Sequence, residues 1–111
     1  MKRYCQTLTL KDNPQLVDKY IEVHSHVWPE IIDGQHAVGI LSMEIYVRGN
    51  VLFMIVDTVD EFDWEKDMER LSKMPHQAEW EAYVSQFQGC SPDATSTEKW
   101  HLMDKIFDSE R

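Results

Sequence analysis

The sequence predicts a single α+β domain, residues 1–111, with the ferredoxin-like order β-α-β-β-α-β and an antiparallel sheet carrying its helices on one face. Three observations lead to this class: an alternating stretch at the start, a hairpin signal near residue 49, and a helical pattern on either side of that hairpin. Such a sheet has a second, uncovered face. We therefore expect two copies to pack sheet to sheet as a homodimer.

The first strand and first helix are predicted by a change of period. Residues 3–10 alternate between two faces and include β-branched threonines, as strands do. Asn13 is the expected helix N-cap, with Pro14 at the first helical position. Apolar residues then recur at helical spacing, which predicts a helix containing Leu16, Val17, Tyr20, Ile21 and His24.

Pro29 cannot continue a regular helix, because it lacks the N–H group and clashes with the preceding turn. We expect a break near residues 25–27 and a second short helix that opens with Pro29. Gly34 is expected to end it.

The hairpin is the clearest local signal in the chain. Residues 38–47 alternate, Gly49-Asn50 follows, and residues 51–58 form a second β-rich run. Glycine at the first position supplies the positive φ of a type II′ turn. The second strand is apolar on both faces until Asp57, which places it in the centre of the sheet.

A third helical pattern begins after Asp60 or Asp63, either of which could cap it. Met74-Pro75 interrupts the pattern. It resumes with Trp80, Tyr83, Val84 and Phe87 at helical spacing.

Gly89 is expected to stop this helix. Residues 89–97 then predict a loop that is too short for a domain linker. The apolar pattern of residues 100–107 predicts a last strand.

Charge and composition exclude several classes of partner. The formal net charge of −9 offers no basic patch for nucleic acid or an anionic membrane. No apolar run approaches the roughly 20 residues of a membrane span, and the start lacks the unbroken apolar stretch of a signal peptide. Cys5 and Cys90 form no CxxC pair and are expected to be reduced thiols. We expect a cytoplasmic protein.

His24 and His26, with Glu30 four residues further on, match the HxHxxxE spacing of metal-binding cupins. That spacing serves a metal only on an extended strand, where residues i and i+2 share a face. On a helix they lie about 200° apart and cannot share an ion. The helical pattern around His24 therefore predicts no metal site.

The same helix instead aligns Tyr20, His24 and Trp28 along one stripe. A single histidine on an apolar face is most often a satisfied core residue. A tyrosine one turn away makes a shared polar cleft a serious alternative, with Trp28 and Trp80 as a flat apolar wall of the kind carbohydrates contact.

The pattern Tyr20, His24 and Trp28-Pro29-Glu30 resembles the L-rhamnose mutarotase family. The resemblance continues through Ile45-Tyr46, residues 50–57 and residues 77–83, and so covers the chain from residue 2 to about residue 108. It implies a dimeric α+β barrel that interconverts the α and β anomers of a 6-deoxy-L-hexose without a cofactor or metal. It also implies His24 as the proton-transfer residue with Tyr20 beside it.

The resemblance further implies a sugar-binding set made of Trp28, Met43, Tyr46, Glu79 and Trp80. Met43 stands where the family often has tyrosine, and Glu79 where it often has a second tryptophan. These changes leave the sugar open between L-rhamnose and L-fucose, because aromatic and hydroxyl-bearing contacts choose which hydroxyl is recognised.

Two other functions fit the same fold class. One is a cofactor-free monooxygenase of the dimeric α+β barrel type, and the other is a non-catalytic small-molecule binding module. The mutarotase interpretation is favoured by the chemistry, since a histidine with a pKa near 6.5 transfers protons in both directions at neutral pH.

Overall fold

A computed structural model describes residues 1–88 and 99–110 of the chain. The described residues form four strands: β1 (Lys2–Thr9), β2 (Ile40–Arg48), β3 (Val51–Thr58) and β4 (His101–Leu102). In the same part of the chain there are four helices: α1 (Pro14–His24), α2 (Pro29–Ala37), α3 (Trp64–Ser72) and α4 (Gln77–Ser85). Each of the two predicted helical connections is thus a pair of helices, split at the positions where Pro29 and Pro75 interrupt the pattern.

The sheet is antiparallel with the order β2-β3-β1-β4, as the predicted ferredoxin-like fold requires. β3 is central, which confirms the prediction made from its apolar character on both faces. The face formed by Gln6, Leu8, Leu52, Met54 and Val56 is buried beneath the helices. The opposite face of the sheet is not covered by the described helices and is the face on which a second copy is expected to pack.

The hairpin between β2 and β3 turns as its residues predict. Gly49 has φ 61°, and in the described part of the chain His76 is the only non-glycine residue with positive φ. Positive φ at the first turn position alone is the type II′ pattern.

Asn13 caps α1 through its side-chain oxygen, which accepts from the backbone N–H groups of Gln15 and Leu16 at 3.0 and 3.4 Å. The end of α2 was predicted wrongly. The helix continues past Gly34 to Ala37. A Cβ at Gly34 would lie 3.2 Å from the Cβ of Met74, so this glycine permits close packing rather than ending the helix.

Asp63 is the cap of α3, accepting from the backbone N–H of Lys66 at 3.0 Å. α4 ends at Ser85, before the predicted stop. Gly89, Cys90 and the predicted loop 89–97 lie outside the described residues.

The prediction of a strand over residues 100–107 is mostly wrong. Only His101–Leu102 pair with β1, and the Met103 N–H adds one more bond to the Cys5 carbonyl at 2.8 Å. Ile106 and Phe107 are 95% and 78% exposed. Their apolar side chains cover no described surface of the chain, so the pattern there does not mark a strand of this sheet.

The core lies between the buried sheet face and the helices. Its most deeply buried apolar side chains come from several elements: Ile31, Ile40, Leu52, Val56 and Phe62. Within residues 1–88 and 99–110, no helix has the length and apolar character to cross a membrane.

Candidate active site

A cavity of about 330 Å³ lies between the helices and the buried face of the sheet. α1 contributes Tyr20 and His24, β2 contributes Met43, and α4 contributes Trp80. Four of the residues predicted for the site therefore meet at one cavity, although they come from three separate elements.

His24 is the last residue of α1, and one of its two ring nitrogens has a hydrogen-bond partner in the described structure. The His24 Nδ1 lies 2.9 Å from the Tyr20 carbonyl oxygen. Because a carbonyl only accepts, Nδ1 carries the hydrogen of the neutral ring, and Nε2 has the free lone pair. Nε2 has no hydrogen-bond partner among the residues the structure describes.

The environment keeps this ring neutral. Burial lowers the pKa of His24, and the smaller opposing effect is its hydrogen bond to the Tyr20 backbone. The ring centroid lies 4.2 Å from that of Tyr20 and 5.5 Å from that of Trp80. The site thus holds a neutral imidazole whose orientation is set by the Nδ1 hydrogen bond and whose lone pair is on Nε2.

Tyr20 and His24 are neighbours because they stand at i and i+4 on α1. His26 follows the end of the helix and is exposed, so the two histidines of the HxH pattern have different surroundings. The helix predicted from the sequence is confirmed. The described residues contain no group of three or more His, Cys, Asp or Glu side chains placed to hold a metal ion.

Trp80 forms an aromatic wall at the cavity and is 6% exposed. Trp28 packs edge-on against it with ring centroids 5.1 Å apart, and stacks on Tyr83 at 6.0 Å with 14° between the planes. Trp28 therefore supports the wall from behind.

Three residues of the predicted sugar-binding set do not line this cavity: Trp28, which packs against Trp80, and the exposed Tyr46 and Glu79. Tyr46 is 55% exposed on the open face of the sheet, because it alternates with the inward-facing Met43 and Ile45. Glu79 is exposed, and its Oε1 lies 3.2 Å from Nδ1 of His76. One helical position, about 100°, separates it from the inward-facing Trp80.

Polar residues that sequence reasoning did not select also line the cavity, among them Gln6, Gln77 and Glu81. The Lys99 side chain is fully buried next to this lining and donates to Glu81, at 2.8 Å to the carbonyl oxygen and 3.1 Å to the carboxylate. Gln77 donates to the other Glu81 oxygen at 2.8 Å. Gln6 lies on β1, where its inward register between Tyr4 and Leu8 was a signal present in the sequence.

The fold and site define a small ferredoxin-like α+β protein with one neutral, oriented histidine at a partly open cavity. The chain matches the L-rhamnose mutarotase family over residues 3–109. It belongs to that family, and it is an isomerase of the mutarotase type.

Named relatives include an L-fucose mutarotase of Xanthomonas campestris pv. campestris, 32% identical over 96% of this chain and 87% of that protein. An L-rhamnose mutarotase of Paraburkholderia phytofirmans is 25% identical over 78% of this chain and 79% of that protein. The crystal structure of an L-rhamnose mutarotase from Formosa agariphila has the same fold, with TM-score 0.75 and 17% identity, covering 99% of this chain and 100% of that one.

Proposed function

We propose that this protein interconverts the α and β anomers of a 6-deoxy-L-hexose, with His24 as the acid–base residue and no cofactor or metal. The observation that carries the proposal is the His24 ring: it lines the cavity, and its Nδ1 is engaged by the α1 backbone, which leaves the Nε2 lone pair for a ligand. Tyr20 positions that ring through its carbonyl and through its own ring, whose centroid lies 4.2 Å from that of His24 with 31° between the planes.

The reaction needs only proton transfer. Nε2 of His24 takes the proton of the anomeric hydroxyl, the bond between C1 and the ring oxygen breaks, and the protonated imidazole gives that proton to the ring oxygen. Rotation about C1–C2 follows. Closure runs the same transfers in reverse, from the ring hydroxyl through His24 to the carbonyl oxygen, and gives the other anomer. No electrons or groups leave the sugar, so a neutral histidine that regains its starting state suffices.

The cavity suits a pyranose in size and character. Trp80 and Met43 offer apolar surface to the sugar's C–H groups, while Gln6 and Gln77 offer amides to its hydroxyls. A mostly apolar pocket with a few convergent polar groups is typical of small-ligand sites.

L-Fucose is the first substrate to examine. The relative named for L-fucose is 32% identical and the one named for L-rhamnose 25% identical to this chain. Met43 is also one of the two positions where this chain departs from the aromatic pattern implied by the family resemblance, and of the two it is the one that lines the cavity.

Optical rotation tests the function directly. Freshly dissolved single anomers of L-fucose and L-rhamnose are expected to equilibrate faster with the protein than with buffer, and equally fast after EDTA treatment. No acceleration with either sugar would refute the proposal. Loss of acceleration on EDTA treatment would refute its cofactor-free part.

We also propose a homodimer that buries the open sheet face. Tyr46 and Val51 are 55% and 46% exposed on that face, and Ile106 and Phe107 leave further apolar surface at the end of the described chain. Sedimentation equilibrium is expected to give twice the 13.1 kDa chain mass. The single-chain mass at micromolar concentration would contradict this.

A further inference from the structure

Gln6 is a polar residue at a position where the fold calls for an apolar one. It lies in the middle of β1, opposite Met54 of β3 and Leu102 of β4, and it is 1% exposed. Its side chain is on the helix-covered face, between the inward-facing Tyr4 and Leu8.

Both polar atoms of this amide are buried without a hydrogen-bond partner in the described part of the protein. A primary amide offers two N–H donors and an acceptor oxygen. Leaving these groups buried and unpaired costs free energy, and unpaired buried groups in folded proteins often mark a binding function.

Gln6 lines the same cavity as Tyr20 and His24, so its unpaired amide is at the site where the substrate is proposed to bind. Gln77, which lines the same cavity, also has a buried polar atom without a hydrogen-bond partner in the described residues. Its Nε2 is used by Glu81, whereas its Oε1 is buried and lacks a partner within residues 1–88 and 99–110. Two amides on different elements that line the same cavity therefore have unsatisfied polar atoms.

We propose that Gln6 is a specificity-determining residue that binds two neighbouring ring hydroxyls of the sugar, one accepting from its N–H₂ and one donating to its oxygen. Gln77 accepts from a further hydroxyl through Oε1. A vicinal diol matches the side-by-side donor and acceptor of an amide. This inference rests on the proposed function and adds which part of the substrate is recognised.

The consequence for kinetics follows from where these contacts lie. Ring hydroxyls away from C1 change little as the ring opens at the anomeric centre. Contacts to them bind the ground state and the transition state alike, so their loss raises KM and leaves kcat nearly unchanged.

Gln6→Leu tests the proposal, since leucine fills similar volume without polar atoms. Anomer exchange is measured by NMR across a range of L-fucose and L-rhamnose concentrations. We expect KM to rise roughly 10-fold or more, with kcat within about threefold, because a site built to bond hydroxyls loses those bonds. Gln15→Leu, an exposed position on α1, is the matched control and should leave both constants unchanged.

Substrate analogues give a second readout that a merely structural glutamine would not move. Wild-type protein should discriminate against monodeoxy analogues that lack one ring hydroxyl, and Gln6→Leu should lose part of that discrimination. The thermal midpoint of Gln6→Leu should be equal to or above that of the wild type, because an unpaired buried amide is removed. Gln6→Met serves the same purpose if the leucine variant fails to fold.

The possible results distinguish this role of Gln6 from the proposed mutarotase activity on which it rests. Wild-type KM and discrimination in the Gln6 variants would overturn the inference while leaving the mutarotase proposal in place. Sugar binding without exchange, monitored by tryptophan fluorescence and weakened by Gln6→Leu, would support the recognition role and overturn the reaction. A wild-type protein that neither binds nor exchanges these sugars would overturn both.

Discussion

Replacing His24 with alanine is expected to lower the rate of anomer exchange by about 10²- to 10⁴-fold, the usual contribution of a positioned acid–base group. The imidazole is the group at the cavity whose free nitrogen accepts a proton near neutral pH, and alanine leaves only water in its place. Saturation-transfer NMR on L-fucose and L-rhamnose measures exchange directly, because the two anomeric protons have separate signals.

The matched control is His26→Ala, two residues away and exposed past the end of α1. It should exchange at the wild-type rate. Circular dichroism should show both variants folded, since the His24 side chain makes one hydrogen bond to its own helix and closes no contact between strands. Wild-type exchange by His24→Ala would remove this residue from the mechanism.

The pH profile of exchange is expected to extend into acid further than an ordinary histidine would allow. A side chain with the usual pKa near 6.5 is only about one-tenth neutral at pH 5.5. Burial lowers the pKa of His24, so its base form persists below that range. Activity should stay near its plateau through pH 6.5, and then fall about tenfold per pH unit once the pH is below the lowered pKa.

The same shift has a consequence for stability. Between the lowered folded-state pKa of His24 and about 6.5, the unfolded chain binds more protons than the folded one, so the free energy of unfolding rises with pH across that window. The His24→Ala variant should lose this part of the dependence, whereas His26→Ala should keep it. An exchange profile in which half of the activity is lost at or above pH 6.5 would contradict the assigned environment of His24.

Most of the fold was predictable because local signals and tertiary packing agree. The Gly49 turn, the Asn13 cap and the break before Pro29 each depend on backbone conformations that only a few residue types favour. Gly34 led to a wrong prediction, because a glycine that allows close contact with Met74 cannot be told from a helix-ending glycine in the sequence. Only tertiary structure distinguishes these two uses.

The site was predictable where it follows helical spacing or family resemblance. Tyr20 and His24 are one turn apart on α1, so helical periodicity places both side chains on the same face of that helix. Trp80 lies in the apolar stripe of α4, so the same periodicity predicts that it faces the core. Trp100 at the cavity and Lys99 beside Glu81 could not be assigned, because both come from a segment far along the chain. Gln6 was visible as a polar residue in an inward register, but its unpaired state becomes evident only when its neighbours are known.

The buried ion pair between Lys99 and Glu81 ties two distant parts of the sequence together. Glu81 follows Trp80 directly on α4, and Lys99 precedes Trp100 and β4. The position of α4 next to Trp80 is therefore anchored by a residue that follows all four described helices in the sequence. A truncation that removed Lys99 would leave the Glu81 carboxylate without this ion pair, while α1, with the proposed acid–base residue His24, would be intact.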